Sequence, residues 1–388
     1  MSNSEIREPA VSPEGQKEVN IDPDIQQIKS LSRFQLMKRA FFKNKLAIAA
    51  GFVLIILYIT MVFFPNLFST HPPFQQDRNN MYAPPQRIRF FDVDGNFNLR
   101  PFVYPYDMEL DFETFQYEYT PNYDEKKFIY FFNRGFSYKL GGFWDTDIHF
   151  MGLESEEDMF FIFGSDRMGR DIFSRIVHAG RVSLTVGLVG VALTIILGSF
   201  FGTLSGYMGG IIDQIIQRII EILLSFPTIP LWAALAAALP QDWSSIRIFF
   251  GISIIIALRN WAGLGRQVRG KVMSFRESEY TIAARIGGAS HLYIILHHMI
   301  PNAFSHIIVI GTLSIPAMII AETALSFLGL GIQPPMVSWG TLLEASQRVN
   351  VVINYPWIMI PGLFVVIAVL AFNFLGDGFR DAADPFSS

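Results

Sequence analysis

Tyr280-Thr281-Ile282-Ala283-Ala284-Arg285-Ile286-Gly287-Gly288-Ala289-Ser290, followed by Ile300-Pro301-Asn302, lies in the longest basic interval between two apolar runs of the chain. Ala283, Ala284, Gly287, Gly288 and Ala289 give this stretch the low profile of a short helix that can sink into a groove on a partner. Gly288 is suited to positive φ and would turn the chain after that helix. The bases around it, Arg259, Arg266, Arg269, Lys271, Arg276 and Arg285, hold such a loop at the inner surface of a membrane, with a span on either side.

Composition agrees with a membrane setting. Of 388 residues, 51% are hydrophobic and 16% charged, too apolar for a soluble domain of this length. The net charge of -4 supplies no basic field for nucleic acid. Without cysteine there are neither disulfides nor thiolate metal sites. Apolar runs long enough to cross a hydrocarbon core cover 46–64, 182–205, 215–239, 246–265, 303–328 and 356–375. The expected fold is an all-α polytopic membrane protein of about six helices.

Orientation follows from basic residues near the span ends. Lys29, Arg33, Lys38, Arg39, Lys43 and Lys45 precede the first span, so this flank and the 263–302 loop belong inside, as does the carboxyl end at Arg380. The organisation expected is therefore a cytoplasmic tail over 1–45, partly disordered, a retained first helix over 46–67 and an outer α+β insertion over 70–165. A core of five helices over 166–380 and a cytoplasmic tail over 381–388 complete it. The insertion is rich in acids and tyrosines. Within it Asp94-Gly95, between Arg87-Ile88-Arg89-Phe90-Phe91 and Phe97-Asn98-Leu99-Arg100, predicts a tight β-hairpin.

Five further patterns carry rival readings. Gly265-Arg266-Gln267-Val268-Arg269-Gly270-Lys271 has phosphate-loop spacing, but Val272 stands where a Mg²⁺-binding hydroxyl is needed, and an apolar helix precedes it. Asp92, Asp94, Asn96 and Asn98 alternate like calcium ligands, yet Phe97 and Val103 replace the required Gly and Glu, which favours a hairpin turn. Gly198, Gly202, Gly206 and Gly210 recur every fourth residue along one helix face, for close packing within the bundle or against a partner. Glu322, an ionisable group among apolar residues, is either a pathway charge or a structural one. The segment 171–177 fits an interfacial helix or a plain extension of the second span. The histidines and hydroxyls form no metal or nucleophile constellation.

The opening stretch resembles the cytoplasmic coupling loop, or EAA loop, of bacterial ABC importer permeases. Other pieces are similar to one subfamily, the C-type permeases of oligopeptide, dipeptide and nickel importers: Phe163-Gly164-Ser165-Asp166-Arg167-Met168-Gly169-Arg170-Asp171-Ile172-Phe173-Ser174-Arg175, Arg181-Val182-Ser183-Leu184 and Gly206-Tyr207-Met208-Gly209-Gly210. So are Ala321-Glu322-Thr323-Ala324-Leu325-Ser326-Phe327-Leu328-Gly329-Leu330-Gly331, Ser338-Trp339-Gly340 and Asn373-Phe374-Leu375-Gly376-Asp377-Gly378-Phe379-Arg380-Asp381, in matching order.

The resemblance implies half of a translocation pathway, paired with a B-type permease, two cytoplasmic ATPase subunits and an extracytoplasmic solute-binding protein, in a bacterial inner membrane. ATP and Mg²⁺ would sit on the ATPases, and this chain would bind no cofactor and catalyse nothing. It implies coupling through Ala283, Ala284, Arg285, Gly288, Ala289 and Pro301. Ile282 occupies the position of the name-giving glutamate, so docking would rest on shape and on Arg285. Peptides are the expected solute, with oligosaccharides as the rival within transport. A membrane-anchored sensor or enzyme using the outer domain is the rival of another class, and it would survive loss of the coupling loop.

Overall fold

The computed structural model describes residues 33–113, 116–155, 158–240 and 242–383. Most of the expected tails, 1–32 and 384–388, lies outside the described residues. The chain enters through α1 (Arg33–Lys43), and Asn44 caps the next helix, its side chain accepting from the Ala47 amide at 3.1 Å. That helix, α2 (Lys45–Leu57), continues through a π-helical turn at Tyr58–Phe63, so the first span runs from Lys45 to Phe63.

Strands fill most of the insertion: β1 (Arg89–Phe91), β2 (Phe97–Val103), β3 (Tyr106–Asp111), β4 (Gln116–Pro121), β5 (Lys127–Leu140) and β6 (Trp144–Leu153). They form a four-stranded sheet ordered β1-β2-β5-β6 and a separate β3-β4 ribbon. The helical share of an α+β unit is reduced here to one 3-10 turn, Arg78–Asn80, among the described residues between Ser69 and Asp171. The β1–β2 hairpin stands where Asp94-Gly95 predicts it, with Gly95 at φ +83°. Asp92 holds the turn, accepting from the Asp94 and Asn96 amides at 3.0 and 2.8 Å and from Lys126 Nζ at 2.8 Å. The Asp92 carboxylate is committed to the turn.

Both ends of the insertion are fastened together. The amides of Thr70 and His71 each donate to Ser174 Oγ at 3.0 Å, and Thr70 Oγ1 donates to Asp171 Oδ2 at 3.0 Å. Asp171 meanwhile caps α3 (Ile172–Met208) by accepting from the Phe173 and Ser174 amides. This helix is continuous over 37 residues, or ~55 Å at 1.5 Å per residue. The segment 171–177 is thus an extension of the second span, and the interfacial alternative is set aside.

The third apolar run is broken. α4 (Gly210–Ser225) and α5 (Thr228–Ala237) meet at 90°. Pro227 forces the preceding Phe226 into extended backbone at φ -80°, ψ 139°, because a residue before proline is crowded out of the helical region. An uninterrupted span over 215–239 was expected, and the apolar run concealed the bend. Among the described residues, five helices are therefore long and apolar enough to cross a membrane, or six if the bent pair counts as one span.

The remaining long helices are α6 (Ser245–Arg276), α8 (Ile300–Phe327), which follows Ile295–Met299 in π geometry, and α9 (Ile360–Ala383), with the short α7 (Glu279–Ile286) between α6 and α8. Leu54, Leu184, Ile256, Met318 and Phe372 share one buried cluster, uniting α2, α3, α6, α8 and α9. A second cluster of Tyr207, Val268, Val272, Ile294 and Met299 lies at the α7 end of the bundle.

Candidate functional site

α7 starts where α6 stops. Ser278 bridges the two, its hydroxyl donating to the Phe275 carbonyl at 2.7 Å, and buried Thr281 donates its own hydroxyl to the same oxygen at 3.0 Å. The helix ends in a double backbone closure: Gly288 N–H donates to Arg285 O and Ala289 N–H to Ala284 O, both at 3.1 Å. That is the Schellman arrangement, which needs a left-handed residue at its turn. Gly288 supplies it at φ +77°.

The small residues divide between two faces. Ala284 and Ala289 are half-buried and pack on the cluster around Tyr207, toward this chain's own bundle. Ala283, Gly287 and Gly288 are exposed, alongside Ile282 at 40% and Ile286 at 82%. The outward face is therefore a small-residue floor carrying two isoleucines four apart. Leu292 and Tyr293 extend it, at 59% and 49% exposed. Sequence reasoning treated Ile282 only as a missing glutamate and passed over Ile286. The signal was available, since residues four apart share a helix face. Arg285 is exposed and stands 5.9 Å from the Tyr207 ring, a cation–π contact within the chain. Pro301 is exposed in the first turn of α8.

α7 is carried on a tight helix pair. A Cβ at Gly198 would lie 2.8 Å from a Leu264 methyl, one at Gly202 2.5 Å from Gly265 O, and one at Gly206 2.7 Å from Arg269 O. The three glycines are the seam between α3 and α6. Gly210, expected on the same seam, leaves it: α3 has ended at Met208, Gly210 takes φ +58°, and its Cβ position faces open space. Beyond the seam Arg269 grips Asp213 of α4 with Nε and Nη2, each at 2.6 Å. The phosphate-loop look-alike is helical from Gly265 through Lys271, inside α6. Its amides therefore face along a helix rather than into a phosphate cradle.

Glu322 lies near the other end of α8, fully buried. Ser183 of α3 donates to its Oε2 at 2.9 Å and Ser326 to its Oε1 at 2.7 Å. Those two hydroxyls in turn accept from the Trp339 amide and the Ile332 amide, both at 3.1 Å. The Trp339 indole donates to Ile176 O at 3.2 Å. The carboxylate thus ties α3, α8 and the returning segment after α8 into one knot.

The family described as "Binding-protein-dependent transport system inner membrane component" matches residues 195–387, and "N-terminal TM domain of oligopeptide transport permease C" matches residues 32–85. The chain is 39% identical over 245 residues to the oligopeptide transport system permease protein OppC of Haemophilus influenzae, spanning 62% of this chain and 75% of that protein. It is 43% identical over 224 residues to the dipeptide transport system permease protein DppC of Alkalihalophilus pseudofirmus, spanning 58% and 71%. With OppC of Escherichia coli it shares 38% identity over 242 residues, 62% and 78% of the two chains.

Proposed function

We propose that this chain, which belongs to the inner-membrane components of binding-protein-dependent transport systems and among them to the oligopeptide and dipeptide permeases, forms half of an ATP-driven import pathway for peptides. The observation that carries the mechanism is α7: a short helix at the end of the rigid α3–α6 pair, closed by backbone alone, with Ile282 and Ile286 turned outward. Burying an isoleucine is worth ~1.5–3 kcal/mol, enough for two such residues to anchor a modest interface. The partner surface is that of a cytoplasmic ATPase subunit, one of two, each under one half of a heterodimer with a second permease chain. ATP and Mg²⁺ belong to those ATPases. An extracytoplasmic binding protein delivers the solute, and the β-rich insertion, with Leu99 88% and Trp144 73% exposed, offers it an apolar surface.

Mechanically, closure of the ATPases pulls on α7, and the bonds from Ser278 and Thr281 to Phe275 pass the displacement to α6. The glycine seam leaves α3 and α6 no room to slide separately, so they move as one body. Access then switches from one side of the membrane to the other.

Gly288→Val tests this reading. A β-branched residue is strongly disfavoured at φ +77°. The expected result is normal insertion and assembly, with ATP hydrolysis separated from solute uptake in proteoliposomes. Coupled hydrolysis and uptake at wild-type rates would reject α7 as the transmitting element. The orientation has its own test, since the chain lacks cysteine. A single cysteine at exposed Leu99 should react with an impermeant maleimide on intact cells, and one at exposed Gln267 only after the inner membrane is opened.

A further inference from the structure

At the end of α3 remote from α7, a cavity of about 250 Å³ opens between the start of that helix and the segment that follows α8. Four guanidiniums line it, those of Arg167, Arg170, Arg175 and Arg348, against the carboxylates of Asp166 and Glu344. Two positive charges are left in excess, four less two. Asp166 is already engaged: Oδ2 accepts from Arg170 Nε at 2.7 Å and Arg175 Nη1 at 2.9 Å, and Oδ1 from the Met168 and Arg170 amides at 2.8 and 3.1 Å. Arg175 nevertheless remains under-bonded. Its side chain is only 7% exposed, and its Nε has no hydrogen-bond partner. Arg167 and Arg348 stand exposed on the same lining. Tyr82 forms another part of the wall, stacked on Tyr355 with ring centres 4.0 Å apart.

We propose that this cavity is a carboxylate site that receives the free C-terminal end of a short peptide. A guanidinium presents donors in a planar fork that matches a carboxylate, and its charge persists when buried. Arginines alone supply the positive charge of the lining, with no lysine among them. The cavity is smaller than the ~300–1,000 Å³ usual for drug-sized ligands, so it holds a terminal residue rather than a whole peptide. Peptide as the source of the carboxylate rests on the function proposed above, whereas the carboxylate chemistry does not.

The test uses the intact transporter in nanodiscs, without its binding protein, and two small probes, N-acetylalanine and N-acetylalanine amide, followed by saturation-transfer NMR. The acid should bind with Kd of about a millimolar, a weak value suited to one anchoring group, and the amide at least about tenfold more weakly. Arg348→Gln should weaken binding of the acid by about tenfold, and Glu344→Gln, which removes an opposing charge, should tighten it by about threefold. Equal binding of acid and amide, no binding of either, or indifference to both substitutions would overturn the site. If Arg348→Gln loosens docking of the binding protein while N-acetylalanine does not bind, the cavity serves an acidic side chain of that protein and the proposal falls. Binding of N-acetylalanine by a transporter that imports no peptide would keep the site and remove the peptide reading. Peptide import without N-acetylalanine binding would do the reverse.

Discussion

The two ends of the α8 region are finished in opposite ways. Near its C-terminal end a buried carboxylate is bonded to Ser183 and Ser326, whose hydroxyls are in turn bonded to backbone amides. Before its N-terminal end, the turn after α7 is closed by backbone hydrogen bonds alone, while the side chains around it point apolar groups outward. Polar saturation makes the first joint self-sufficient, whereas the second leaves Ile282 and Ile286 exposed. The chain therefore has one joint fixed by its own polar groups and one left open, with an apolar surface.

The largest effect should come from breaking the fixed joint. Glu322→Ala leaves the Ser183 and Ser326 hydroxyls buried without their acceptor, which costs about 3 kcal/mol at ~1–3 kcal/mol per unsatisfied group. Thermal unfolding in detergent should show it, with Glu322→Gln recovering much of the loss because it keeps an acceptor oxygen. An alanine variant as stable as the parent would mean that the knot holds nothing together. Next comes the seam that carries the open joint. Gly202→Val should destabilise by about 2 kcal/mol, since overpacking a tight contact costs ~1–3 kcal/mol. The same substitution at Gly263, where a Cβ would meet nothing within 4 Å, should be far milder, and equal effects at the two sites would refute the seam.

Ile286→Asp sharpens the contrast from the other side. At 82% exposure the residue contributes little to folding, so the melting point should move by less than the equivalent of ~0.5 kcal/mol. Capture of the ATPase subunits by the assembled complex should nevertheless fall by about tenfold, the effect of losing one buried apolar anchor. Unaltered capture would place the docking surface elsewhere.

The smallest effect belongs to the β1–β2 hairpin. Lys126 first, then the Asn96 amide, hold the Asp92 carboxyl at about 2 rather than 3.8. A depressed folded pKa means that Asp92 stabilises the turn fully above 3.8 and loses that contribution as pH falls toward about 2. Amide exchange across Phe91–Phe97 should quicken over that window and not in Asp92→Asn, which would already exchange faster at neutral pH.

What could be recovered from sequence followed how local the cause was. The spans were legible because twenty apolar residues announce themselves, and the Asp94-Gly95 hairpin because its turn chemistry lies in adjacent residues. The positive φ of Gly288 was legible for the same reason. The bend at Pro227 was written in one residue but hidden by apolar neighbours on both sides. The long β5 strand carries aromatics on both faces, Phe131 and Phe132 in succession among them, so the two-residue alternation that marks a strand was absent there. Glu322 could be flagged but not resolved, because Ser183 lies 139 residues away. Residue types alone could not sort Ala284 and Ala289 from Ala283. Only the packing of α7 on Tyr207 decides which alanine faces home.

The fastening of Thr70 and His71 to Asp171 and Ser174 also bears on how this chain can vary. An inserted segment ordinarily imposes a loop-closure entropy on its host that grows, if slowly, with its length. Here the entry and exit points are joined by hydrogen bonds of 3.0 Å before any strand begins. The helical bundle therefore experiences a closed ring of fixed circumference, whatever hangs from it. Changes of strand length between those two points leave this closure intact, so the inserted module can vary without adding to the entropy cost borne by the helices.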